Sequence, residues 1–194
     1  MNTQMLRNIV LSLMMLVGGG AVAHADTSPV AISLWHPVQW PDDSNDINGI
    51  RLNLIYGAHH MVSGLDFGII NRSMADVNGV EFGFVNLVDG NVTGFQRGML
   101  NIVSGDFIGW QDGFANSVDQ HFSGLQTGVI NGIKGDLNGV QAGVFFNYVG
   151  GEASGLQLGA INVAGSLHGI QIGILNFNQS NKPLGFFPIV NASF

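Results

Sequence analysis

Glycine recurs every fifteen residues along most of this chain: Gly49, Gly64, Gly79, Gly94, Gly109, Gly124 and Gly139. A one-residue insertion, read near Gly150-Gly151, moves the next to Gly155, and a one-residue deletion moves the last to Gly169. A fixed period of this kind marks a repeat architecture, in which each unit buries its apolar side only by stacking on its neighbours. The unit, present in nine copies, reads Gly-Φ-Gln-x-Gly-Φ-Φ-Asn-x-x-x-Gly-x-Φ-x, with Φ apolar. Counting from the first Gly, positions two and six are apolar throughout, from Ile50 and Leu54 to Ile170 and Ile174. Position fourteen runs Val62, Val77, Val92, Phe107, Phe122, Leu137, Ala153 and Leu167. Position five is Gly in every unit but the first, where Asn53 stands.

Two or more Gly per unit would each cost a helix about 1 kcal/mol relative to Ala, so the units are strands. Two all-β architectures fit. In the preferred one, a β-solenoid, each unit is one coil lying on the last at about 4.8 Å, so that equivalent residues form columns. Positions two, six and fourteen would then point into a shared core, with Gly at the corners. The alternative is an outer-membrane β-barrel of about ten antiparallel strands. It would put Arg97 and Asp112 on the lipid face, where a mid-membrane Arg costs about 2–4 kcal/mol.

The ends differ from the repeat. Arg7, the apolar run from Ile9 to Val17 and Ala23-His24-Ala25 form a secretory leader, expected over residues 1–25. Residues 26–48 read as an N-terminal capping strand (Ala31 to Trp40, stopped by Pro41) and a loop, 49–184 as the repeat domain and 185–194 as a C-terminal capping strand. Such caps cover the exposed edges of a stack. The chain has no cysteine, which excludes disulfides, thiolate metal sites and a lipid-modified cysteine. Without Arg7, five basic residues face thirteen acidic ones, a net charge of −8 with no basic cluster, which argues against nucleic acid as a partner.

Position three becomes a run of Gln96, Gln111, Gln126, Gln141, Gln157 and Gln171. It reads either as a polar face for a ligand or partner, or as a hydrogen-bonded amide ladder. Position eight carries Asn71, Asn86, Asn101, Asn116, Asn131, Asn162 and Asn176, a structural ladder at a bend, with Asn147 one residue late in the irregular unit. Asp89, Asp106, Asp119 and Asp136 read as turn formers rather than calcium ligands, since one acid per turn is too few. The histidines read as surface residues and Trp110 as core. Nucleophile-elbow, phosphate-loop and His-Glu-x-x-His motifs are missing, so the expectation is a non-enzymatic protein without cofactor or metal.

Leu34-Trp35-His36-Pro37-Val38-Gln39, Gly49-Ile50-Arg51-Leu52-Asn53-Leu54-Ile55-Tyr56-Gly57 and Gly64-Leu65-Asp66-Phe67-Gly68 resemble the opening of a bacterial surface-repeat family, known from leptospiral lipoproteins and Vibrio relatives. Gly169-Ile170-Gln171-Ile172-Gly173 and the ending Pro188-Ile189-Val190-Asn191-Ala192-Ser193-Phe194 are similar to its repeats and terminus. The resemblance covers about residues 31–194. It implies export to the cell envelope; the reading of the residues adds a structural or binding module of the Gram-negative envelope, with an envelope protein or glycan as partner and an outer-membrane association. The resemblance implies no activity.

Overall fold

A computed structural model of the protein describes residues 27–181 and 185–194. The leader expected over residues 1–25 lies outside them. One sheet contains twelve strands: β1 Thr27–Trp35, β2 Val38–Trp40, β3 Asp46–His59, β4 Val62–Ser73, β5 Val77–Phe82, β6 Val85–Val88, β7 Val92–Val103, β8 Phe107–Val118, β9 Phe122–Ile133, β10 Leu137–Leu158, β11 Ile161–Asn178 and β12 Phe186–Ser193. From β3 to β11 every pairing is parallel, and like lies over like: Gly124 pairs with Gly109 and Gln126 with Gln111. The protein is a β-solenoid. The barrel alternative is overturned, because a barrel needs neighbours that close on the first strand, and this ladder stays open at β2 and β12.

Each coil alternates in and out from position fourteen to position six. Positions fourteen, three, eight and ten point inward; two, four, six and seven point outward. The expectation that positions two and six fill the core is therefore wrong. Trp110 is 45% exposed and Val144 78%. The physical reason is the period of two: with position three buried among its own kind, its neighbours at two and four must face out. The apolar core is the half of the coil near the polar turn. There Val92, Phe107 and Phe122 of position fourteen lie with Val88, Val103 and Val118 of position ten. Phe107 and Phe122 stack with ring centres 5.0 Å apart.

All nine position-one glycines have φ between 128° and 151°. A Cβ at Gly109 would fall inside the carbonyl oxygen of Gly94, one coil below, so this column is Gly because successive backbones approach too closely for anything else. It lies within a strand, not at a corner.

The irregular coil also differs from expectation. The register against β9 changes between Gly143 and Phe146, so the inserted residue is at Val144–Phe145, on the outer corner, not at Gly150-Gly151. The compensating deletion lies in the turn, between Ala164 and Ser166. An outer corner can bulge into solvent without breaking an inner column.

The flanks are terminal strands. The expected single strand from Ala31 to Trp40 is instead a hairpin. β1 adds in parallel to β3, and β2 folds back antiparallel along the edge of β1. β2 has only three residues and is followed by Pro41. β12 closes the other end antiparallel to β11, with Pro188 in its middle. Short length and a missing N–H both blunt an edge against further pairing.

Candidate functional site

The interior of this solenoid holds two stacked columns of polar side chains. Gln96, Gln111, Gln126, Gln141, Gln157 and Gln171 are all 0% exposed. Each Nε2 donates to the oxygen of the residue one coil earlier, at 2.7–2.8 Å, from Gln171→Gln157 down to Gln96→Glu81. At the other end Asn191 Nδ2 of β12 donates to Gln171 Oε1 at 2.8 Å. Every amide oxygen thus accepts a hydrogen bond, and every column residue is out of reach. The expectation of a ligand face on these six glutamines is overturned, because stacking leaves them no exposed surface.

Asn71, Asn86, Asn101, Asn116, Asn131, Asn147, Asn162 and Asn176 form the second ladder, also buried. Here each Nδ2 from Asn71 to Asn162 donates forward, to the next Asn Oδ1 at 2.7–3.1 Å, and Asn176 Nδ2 donates to Gly173 O at 3.1 Å. Most Nδ2 groups also reach a backbone carbonyl of the next coil, as Asn101 does to Asp112 O at 2.9 Å. The position-five glycines make room, for a Cβ at Gly83 would collide with Asn86 Oδ1. The ladder starts one coil earlier than its spacing predicts. Asn53 Nδ2 donates to Asn71 Oδ1 at 2.7 Å, its side chain occupying the space that the missing side chain of Gly57 leaves. The signal was present in the sequence, since the only unit with Asn at position five is also the only one without Asn near position eight.

A third ladder is exposed at the turns. Asp76, Asn91 and Asp106 each accept from the backbone N–H one coil on, at Asn91, Asp106 and His121, over 2.7–2.9 Å. Asp136 does the same for Glu152 at 2.7 Å. Asp89 pairs with Arg72 at 2.8 Å and Asp119 with Lys134 at 2.7 Å. The turn acids therefore split between two columns and are engaged within the fold. No group of three or more potential metal ligands occurs among the described residues.

The Gln ladder ends in charge. Arg51 and Asp66, both fully buried, form a two-point ion pair through Nε–Oδ1 at 2.8 Å and Nη2–Oδ2 at 2.5 Å. Burial alone would lower the Arg51 pKa, but Asp66 raises it, and the guanidinium stays charged. Glu81 comes next in the column. Burial, then the charge of Asp66, push its carboxyl up to about 8, against the opposing pull of Arg51 and Gln96. Its Oε1 has no partner while the carboxyl is ionised. Hydrogen bonding to Asp66 is open only to the protonated carboxyl and adds to the upward shift.

His59 is buried as well, against the expectation of a surface residue, and pairs in register with Ser73 of the inner column. Neither ring nitrogen meets a partner at hydrogen-bonding geometry. Burial and the Arg51 charge lower its pKa to about 4, opposed in part by the Pro41 carbonyl and Asp43. His60, its neighbour, faces out and sits 2.7 Å from Asp46.

The outer surface is the reverse of this interior. Columns two, four and six are mainly Ile, Leu, Val and Phe. Between columns four and six runs an open groove of about 650 Å³, floored by Gly68, Gly83, Gly98 and Gly113 and walled by Phe67, Phe82, Phe84 and Phe114. Phe67 and Phe82 stack at 5.3 Å, and Phe95 meets Trp110 edge-on at 5.0 Å. Trp110, expected in the core, donates through Nε1 to Thr127 Oγ1 at 3.0 Å; Thr127 donates to Asp112, and Asp112 pairs with Arg97 at 3.3 Å. The sequence hid this face because the same apolar columns would suit a core.

No family model matches the chain, and neither a curated protein nor a solved structure is detectably similar to it.

Proposed function

We propose that this chain is an exported, non-enzymatic repeat protein of the Gram-negative cell envelope, acting as a rigid binding scaffold through its apolar outer face. The observation that carries the reading is the inversion just described. The repeated amides are consumed inside, while the repeated apolar columns and the glycine-floored groove remain outside. Contiguous apolar surface on this scale marks an interaction site. The leader pattern and the resemblance to the surface-repeat family support export. The partner is an envelope protein or a glycan stacked on the exposed rings.

Envelope fractionation with protease shaving of intact cells tests the reading. The protein is expected in an envelope fraction, and Phe84→Ser with Phe114→Ser is expected to release it without changing its melting. A cytoplasmic location, or retention unchanged by both substitutions, would overturn it.

A further inference from the structure

We propose that the outer face centred on column four pairs with the same face of a second copy, the two solenoids running antiparallel about a two-fold axis between Arg97 and Asp112. The proposal rests on reading the apolar face as a contact surface and gives the strip from column two to column six to a second copy, in place of a glycan or a different envelope protein.

Arg97 and Asp112 are register neighbours in column four. They are also at the middle of the stack. Below them lie β2, β1 and the coils up to Arg97; above them lie the coils from Asp112 and β12, six layers on either side. A two-fold axis there sets Arg97 of one copy against Asp112 of the other, twice. Arg97 is suited to this, its side chain 64% exposed with only one bond to Asp112, at 3.3 Å. A self-complementary patch is the requirement of an isologous dimer.

Column four is complementary in size as well as charge. Its six central members are Phe67, Phe82, Arg97, Asp112, Thr127 and Ala142, with Leu52 before them and Leu158 and Ile172 after. Reversed on itself about the centre, it places Phe82 against Thr127 and Phe67 against Ala142. In column four each bulky ring meets a small side chain, which a parallel pairing would not give, while in column two the same axis brings Phe95 of one copy to Trp110 of the other. The strip from column two to column six is about 45 Å long and about 15 Å wide at the usual strand spacings. Roughly 700 Å² per copy approaches the ~800 Å² of a standard interface. A membrane surface is the weaker occupant, because it would leave Arg97 and Asp112 in hydrocarbon.

Sedimentation of the full chain, expressed with its leader and purified from the fraction that holds it, tests the proposal. The expected mass is twice that of one chain. Arg97→Asp and Asp112→Arg should each weaken the dimer by roughly tenfold or more, since like charges then meet across the axis. Mixing the two variants should restore dimer as a heterodimer, which a role confined to folding would not do. Far-UV circular dichroism of each variant confirms that it is folded. A wild-type monomer at every concentration overturns the proposal, as does a mixture no tighter than its components. A monomer that still co-fractionates with the envelope overturns the dimer alone and leaves the scaffold reading standing.

Discussion

Gln96 Nε2 donates to Glu81 Oε2 at 2.7 Å, and there the row of neutral amides gives way to a carboxyl. The folded protein holds that carboxyl up at about 8, against an ordinary 4.5. A raised acid stabilises fully below its unfolded value, and the contribution is lost as pH rises through the folded one. Glu81 should therefore lower stability steadily as pH rises between about 4.5 and 8. Glu81→Gln continues the ladder, with Nε2 donating to Asp66, and should remove that slope. Urea titrations from pH 5 to 9 decide it; an unchanged slope would mean that Glu81 is ionised in the fold.

His59 works in the opposite sense. Its depressed value of about 4 means that the unfolded chain takes up a proton first, so stability falls as pH drops from about 6.5 to 4. The two slopes offset each other between about 4.5 and 6.5, and the net loss should show above pH 6.5 and below pH 4.5. His59→Val gives the inner column the residue type of Val88 and Val103. It should remove the acid limb and add about 1 kcal/mol at pH 7, because no hydrogen bond is lost. Thermal melts at pH 4 and 7 would sink this if the variant melted lower at both.

Gln126 is the simplest test of the inner ladder. Replacing it with Ala leaves Gln111 Oε1 without its donor and opens a cavity. The expected loss is about 2–4 kcal/mol by denaturant titration. A loss under 0.5 kcal/mol would show that the amides add nothing beyond their packing.

Two glycines separate a forbidden position from a permitted one. Gly109→Ala puts a methyl into the Gly94 carbonyl at a φ of 133° and should cost more than about 3 kcal/mol or prevent folding. At Gly132 the nearest atom to a new Cβ is Asn116 O at 3.8 Å, and Gly132→Ala should be neutral or stabilising by about 0.5 kcal/mol. Equal melting temperatures for the two variants would refute the account of column one.

What the sequence disclosed was the period, hence the stacking and the identity of each column. Which columns face inward was not legible from hydrophobicity. Leu65 and Val77 are equally apolar, yet Leu65 is exposed and Val77 buried. The available clue was Gln at position three, because amides one coil apart can satisfy one another and so can be buried without leaving polar groups unpaired. Asn53 was missed as a ladder residue because the first coil has its own register. The charged cluster at Arg51, Asp66 and Glu81 stands in the same column as the glutamines, and only its burial shows that it is one unit with them.

Register itself can be cut. Deleting residues 124–138 removes one coil and joins Ser123 to Gly139, keeping every column in step. The shortened chain should fold cooperatively with a modest drop in melting temperature, since stability in a stack is close to a sum over neighbours. Deleting one residue more or fewer should abolish cooperative melting. If all three deletions behaved alike, the columns would not be what holds the coils together.

The two inner rows of amides are oriented oppositely, glutamines donating toward the N-terminal end and asparagines toward the C-terminal end. Their dipoles therefore subtract, coil by coil, instead of accumulating along the axis as they would in a helix. Length is then electrically neutral: the number of coils could change by whole units without building a potential difference between the two ends that the caps would have to absorb.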